Sequence, residues 1–318
     1  MPPDRPPDRL HVARSPADRA DRLRRLAAYA SIGVATTLVV VKLLTWLATG
    51  SVSLLASVID SAIDAVASLV TLVGVHHALR PADPAHRFGH GKAEPVAALL
   101  QSAFIAGSAL ILASEALNRV VDPRPIANTQ LGIAVMAFAA VLTGALVLFQ
   151  RHVIRRTGSI AISADSVHYT GDLLTNVAVI VALALTELTG ALLIDPLFAF
   201  GIVAFLLYHA VRLGRGALDV LMDRELPEAD RARICRIVLA HPHARGLHDL
   251  RTRSAGTAAF IELHLELDGH LSLDRAHTIT DQVERQLLRA FPNAEVILHQ
   301  EPAGIEDERL DPRLGSEG

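Results

Sequence analysis

Residues 52–79 read VSLLASVIDSAIDAVASLVTLVGVHHAL, a run long and apolar enough to span a bilayer that nonetheless carries two aspartates. Asp60 and Asp64 stand four residues apart and so stack on one face of a helix. Residues 160–188, IAISADSVHYTGDLLTNVAVIVALALTEL, repeat the pattern with His168 and Asp172. A charge at a helix centre costs roughly 2.5–3.5 kcal/mol on insertion scales, so such pairs need compensation, and a bound cation supplies it. The first run enters from outside and the second from the cytoplasm. At a rise of about 1.5 Å per residue, all four residues then lie roughly 12–18 Å deep, near the midplane. Three carboxylates and one imidazole make a four-donor set suited to tetrahedral zinc and tolerated by ferrous iron or cadmium, whereas an all-oxygen set leans toward manganese or magnesium. Ser53, Ser57, Ser61, Ser68 and Asn176 extend the polar stripes, and hydrogen bonding between helices accounts for them as well as ligation does.

Four further apolar runs, near 26–49, 95–120, 129–153 and 193–212, bring the expected spans to six. The composition agrees, with 51% apolar residues in 318 and a mean hydropathy of +0.36. The first twenty-odd residues are rich in Pro, Asp and Arg, so no cleavable signal peptide is expected there. Arg19, Arg22, Arg24 and Arg25 precede the first run, Arg80, Arg87 and Lys92 follow the second, Arg151, Arg155 and Arg156 follow the fourth, and Arg212, Arg215 and Arg224 follow the sixth. The alternate side has only Arg119 and Arg124, so both termini are expected in the cytoplasm. A net charge of −3 gives no footprint for nucleic acid, and the single Cys235 excludes a disulfide framework or a multi-cysteine zinc module.

Beyond the spans the periodicity changes. Glu228–Ala240 reads as a helix, Gly246–Arg253 and Phe260–Asp268 as strands, the residues after Ser272 as a second helix, and Glu295–Gln300 as a last strand. In the second strand Ile261, Leu263, Leu265 and Leu267 alternate with Glu262, His264, Glu266 and Asp268, the mark of a half-buried strand. The expected fold is a polytopic α-helical membrane protein of six spans with a C-terminal α+β domain ordered αββαβ. Its expected parts are a charged tail 1–21, a membrane domain 22–215, a cytoplasmic domain 216–302 and a second tail 303–318. Between the second and third runs, Asp83, His86 and His90 have a spacing that places three N/O donors around one zinc, although loop histidines are also commonplace.

The segments SLLASVIDSAID (53–64), PADPAHRFGHGKAE (81–94), ADSVHYTGDLLTN (164–176) and LHDLRTRSAG (247–256) together resemble the cation diffusion facilitator family, in its bacterial zinc and ferrous-iron efflux branch. The resemblance implies a homodimer in the cell inner membrane whose protomers exchange metal ions for protons, and a cytoplasmic domain of metallochaperone-like fold. It implies a transport site at Asp60, Asp64, His168 and Asp172, the four residues already reached from burial cost, and a loop site at Asp83, His86 and His90. It implies a two-metal cytoplasmic site from His248, His264, His277, His299, Gln300 and Glu301, the glutamate standing where close relatives have a bridging aspartate. Lys92 and Asp223 match a salt bridge joining the two parts of the molecule. The expected activity is proton-coupled efflux of Zn2+, with Fe2+ or Cd2+ as other cargo, by alternating access. The alternative is a membrane metal sensor that signals through its cytoplasmic domain without flux. A membrane metalloenzyme is disfavoured because no HExxH segment is present.

Overall fold

The computed structural model describes residues 16–49, 52–122, 130–189, 193–256 and 258–304. Six long helices come first: α1 (Pro16–Thr49), α2 (Val52–Ala78), α3 (Ala93–Val121), α4 (Gln130–Thr157), α5 (Ile160–Thr189) and α6 (Ile194–Leu221). All but α5 contain, among the described residues, a stretch long and apolar enough to cross a membrane. The exception is α5, the helix with His168 and Asp172. Two boundaries differ from expectation. Helix α1 begins at Pro16, inside the stretch read as a tail, because Asp18 to Arg25 continue its helical face with charged side chains that need not enter lipid. Helix α6 runs to Leu221, nine residues past the expected end of its span, which makes it a rigid stalk toward the cytoplasmic domain. Residues 1–15 and 305–318, which include most of both expected tails, lie outside the described residues, as does Arg124.

Small residues let the helices approach closely. A Cβ added at Gly74 on α2 would lie 2.3 Å from Ala97 on α3, and one at Gly171 on α5 would lie 2.5 Å from Leu206 on α6. The outward faces carry large exposed apolar side chains, among them Leu44, Leu47, Ile111, Val141, Leu148 and Leu197, as a hydrocarbon surround requires. At the end of the bundle away from the cytoplasmic domain, Arg119 bonds Glu115 one turn back (3.0 Å) and also Asp195 at the start of α6 (2.6 Å). The i,i+4 spacing accounts for the first of these partners, whereas the second joins two helices.

The cytoplasmic domain runs α7 (Glu228–Leu239), β1 (Gly246–Ala255), β2 (Ala258–Leu267), α8 (Leu273–Ala290) and β3 (Ala294–Pro302). The order is the αββαβ order expected. The sheet is β1-β2-β3, with β1 antiparallel and β3 parallel to β2. Ile261, Leu263, Leu265 and Leu267 point inward and meet Ile234 and Val238 of α7 and Ile279, Val283 and Leu287 of α8 in one core. Ser272 caps α8 by accepting from the Arg275 amide.

Candidate metal-handling sites

Three groups of potential metal donors stand out among the described residues, one for each of the three expected sites. The first lies between α2 and α5. His168 Nε2 is 3.0 Å from Asp64 Oδ1 and 3.6 Å from Asp172 Oδ2, and one donor atom from each of the three residues falls within 4.8 Å of the others. The His168 side chain is 4% exposed, against 22% for Asp64 and 35% for Asp172, so the imidazole is buried while both carboxylates are partly exposed. Asp60, one turn earlier on α2, is exposed and stays outside this group. The expected fourth donor is thus the one residue of the set that the described conformation does not bring in.

Behind His168 the packing is polar and connected. Ser31 on α1 bonds Ser68 on α2 (3.0 Å), Ser68 bonds the Tyr169 hydroxyl (2.6 Å), and that hydroxyl donates to the Ser31 carbonyl (3.3 Å). Asp165, fully buried one turn before His168, accepts from Gln150 on α4 (2.6 Å). These contacts hold α5 against three neighbours beside the donor group. Lys42 on α1 donates to Ser61 (2.7 Å), next to Asp60. Sequence reasoning assigned no role to Lys42, Asp165 or Gln150, because polar residues spaced along different helices carry no signal of their mutual contact.

The second group is the α2–α3 loop. Asp83 Oδ1 accepts from the backbone amides of Ala85 (2.9 Å) and His86 (2.7 Å), a local turn that the Asp-Pro-Ala-His order favours. The His86 amide, first among these bonds, holds the Asp83 carboxyl below the usual carboxylate range. Asp83 then faces His86 Nδ1 at 3.2 Å and His90 Nε2 at 3.3 Å, and all three residues offer donors within 4.8 Å. Gly89, at φ +77°, supplies the left-handed residue that turns the chain between the two histidines.

The third group lies on the sheet. Residue register aligns His248, His264 and His299 in one row across β1, β2 and β3, with ring centroids 5.0 and 4.8 Å apart. Glu301, two residues beyond His299 on the same face, reaches all three: His264 Nδ1 at 2.6 Å, His248 Nε2 at 3.2 Å and His299 Nε2 at 3.5 Å. The longer side chain at this position therefore does not prevent it from spanning the row. Two residues missed by the sequence reading join here. Asp249, at a β-bulge with φ +50°, has a donor within 4.8 Å of donors of His248 and His264, and Glu266 lies 2.9 Å from His248 Nδ1. A bulge that turns an aspartate onto its neighbour's face has no signature in the alternation of a strand. Two expected members are not brought in. His277 sits on α8, 68% exposed, with Asp281 3.8 Å away. Gln300 pairs in register with Leu265, on the face opposite His299, because neighbouring strand residues alternate.

The loop and the cytoplasmic domain meet at a joint. Lys92 Nζ is 2.8 Å from Asp223 Oδ1, and Arg253 adds a second cation to the same oxygen at 3.4 Å. The Lys92 hydrogen bond holds the Asp223 carboxyl below its ordinary range. The Arg253 guanidinium also lies over the rings of Phe88 (4.9 Å) and Phe260 (4.3 Å), and Gly91 abuts Ala255 so closely that a Cβ there would fall 2.3 Å from a backbone oxygen.

A buried imidazole clasped by two partly exposed carboxylates between long apolar helices has a use for a cation, and the arrangement defines a polytopic membrane protein that handles metal ions. Residues 28–222 match the cation efflux transmembrane domain, and residues 226–303 match the cation efflux protein cytoplasmic domain. The chain belongs to the cation diffusion facilitator family: it is a cation efflux transporter and not an enzyme. It is similar to the cation-efflux pump FieF of Klebsiella pneumoniae subsp. pneumoniae, 47% identical over 284 residues, which cover 89% of this chain and 94% of the relative. The cation-efflux pump FieF of Shewanella oneidensis is 48% identical over 282 residues, covering 89% and 95%. Among solved structures, the zinc form of the putative zinc transporter CzrB is 35% identical and covers 27% of this chain and 99% of its own, at a TM-score of 0.26.

Proposed function

We propose that the chain exports a divalent transition-metal ion, zinc foremost and ferrous iron or cadmium as further cargo, in exchange for protons. The observation that carries this reading is the position of His168 Nε2 between the carboxylates of Asp64 and Asp172. Carboxylates only accept, so without metal this nitrogen carries the proton that both oxygens attract. A metal ion binding there takes the same lone pair and expels that proton. Export follows if the site opens alternately to either side, taking metal from the cytoplasm and releasing it as a proton returns. Asp60 then closes the set from α2 as the fourth donor, by a movement of one helical turn's worth of side chain. The imidazole favours zinc, iron and cadmium over manganese or magnesium.

In the same reading the protein works as a homodimer in the inner membrane with both termini cytoplasmic, and with a membrane domain 22–215 and a cytoplasmic domain 216–302. The His248, His264, His299 and Glu301 row binds regulatory metal, which tightens the dimer; His277 and Gln300 join it through rearrangement or dimerisation. The loop group Asp83, His86 and His90 binds a further ion, and the Lys92–Asp223 pair serves as a hinge, since an exposed pair contributes only about 0–1 kcal/mol to stability. Reconstituted in proteoliposomes, the protein is expected to move zinc faster when protons are more concentrated on the side that receives the metal, and zinc, iron and cadmium are expected to compete while manganese does not. Zinc flux indifferent to an imposed pH gradient would refute the exchange.

A further inference from the structure

The loop group of Asp83, His86 and His90 has three donors, one fewer than a closed tetrahedral zinc site requires. His77 stands beside it. This residue lies in the last turn of α2, six positions before Asp83, and its ring meets the His90 ring edge to face at a centroid separation of 5.6 Å and an angle of 81°. Two imidazoles on one tetrahedral zinc, at Zn–N distances of about 2.0–2.1 Å, hold their ring centroids about 5 Å apart. The His86 and His90 rings are already 4.6 Å apart. The His90 side chain is 10% exposed, and while its Nε2 faces Asp83, its Nδ1 is buried without a hydrogen-bond partner. His77 is exposed, so it can swing toward the group without disturbing the core.

We propose that His77 is the fourth ligand of the loop site, which makes that site a closed three-nitrogen, one-oxygen centre for a zinc-like divalent cation. The proposal rests on the reading of Asp83, His86 and His90 as a metal group. It has a consequence for mechanism. A three-donor site keeps an open position and exchanges its ion readily, whereas a closed site retains it. Because one ligand belongs to α2 and the other three to the loop packed on the cytoplasmic domain, a retained ion clamps the end of the helix carrying Asp60 and Asp64 to the joint at Lys92 and Asp223.

Cobalt(II) chloride, titrated into the full-length protein in detergent, tests this, because tetrahedral cobalt absorbs visible light far more intensely than octahedral cobalt. The background carries Asp64→Ala and His264→Ala, so the loop is the remaining intact group. His77→Ala is expected to remove the tetrahedral spectrum and weaken cobalt binding by more than the about 10–100-fold typical of losing an outer partner of a ligand. His77→Cys is expected to restore tight binding with a new thiolate-to-cobalt band, and His76→Ala, one residue away with no ring contact to His90, to change nothing. If His77→Ala matches its parent while Asp83→Ala loses cobalt, the fourth ligand is wrong and the loop site stands. If Asp83→Ala also matches its parent, the loop reading fails and the proposal with it. Neither outcome bears on transport at the midplane, which this background already lacks.

Discussion

Replacing Asp64 by alanine is expected to abolish metal flux. Asp64 supplies the oxygen closest to His168, at 3.0 Å, and it is the only member of the compact donor group that α2 contributes. Without it a metal ion would bind through α5 alone, with His168 and Asp172 as its two donors, and the movement of α2 against α5 would no longer be coupled to the cargo. Loss of a partner outside the ligand set already costs about 10–100-fold in metal affinity, so loss of this donor is expected to cost more than about 100-fold in flux at low metal concentration. The protein should remain folded, because removing an intramembrane carboxylate relieves an insertion cost of roughly 2.5–3.5 kcal/mol instead of adding one. Radiolabelled zinc uptake into proteoliposomes reads the flux, and thermal unfolding in detergent reads the fold. Wild-type flux would show that the donor group lies off the transport path.

Glu94→Ala is expected to have the opposite profile, with a large loss of stability. Glu94, 1% exposed at the start of α3, accepts from the Ser159 hydroxyl (2.9 Å) and the Ile160 amide (3.2 Å), and so caps the N-terminus of α5 from another helix. It also faces the buried Arg24 guanidinium of α1 at 3.6 Å. Arg24 has Asp21 at 3.8 Å and the Thr157 carbonyl at 3.4 Å as further partners, so it would not be stripped entirely. Breaking a buried ion pair from one side typically costs about 3–5 kcal/mol, and the lower end of that range is expected. Glu94→Gln, which keeps an acceptor for Ser159 and Ile160 but no charge, should fall between. A loss below about 1 kcal/mol for alanine would mean that Asp21 alone suffices for Arg24. Glu94 also opens the helix that follows the histidine loop, so the staple ties that loop to the helix carrying His168 and Asp172.

Much of this was legible in the sequence for particular physical reasons. The six helices could be read because a bilayer demands long apolar runs, and the order of the cytoplasmic elements because a half-buried strand must alternate, as Ile261 to Leu267 do. The Asp64, His168 and Asp172 group could be read because an intramembrane charge is costly wherever it sits. What escaped was what depends on contacts between distant segments. The Arg24–Glu94–Ser159 staple joins three separate stretches of chain, and the pairing of Arg119 with Asp195 spans two helices. Asp249 turns toward the histidine row only because a bulge reverses its side chain. Helix ends escape hydropathy as well: charged turns at Pro16 and at Leu221 prolong helices beyond the apolar runs, where hydropathy is silent.

The most direct test of the central claim leaves only the midplane group intact. The full-length protein with Asp83→Ala and His264→Ala, reconstituted in proteoliposomes, is expected still to bind zinc and to transport it, more slowly than wild type but well above empty vesicles, and to lose both on addition of Asp64→Ala. Zinc transport that vanishes in the double variant, or that survives the triple, would contradict the assignment of transport to Asp64, His168 and Asp172.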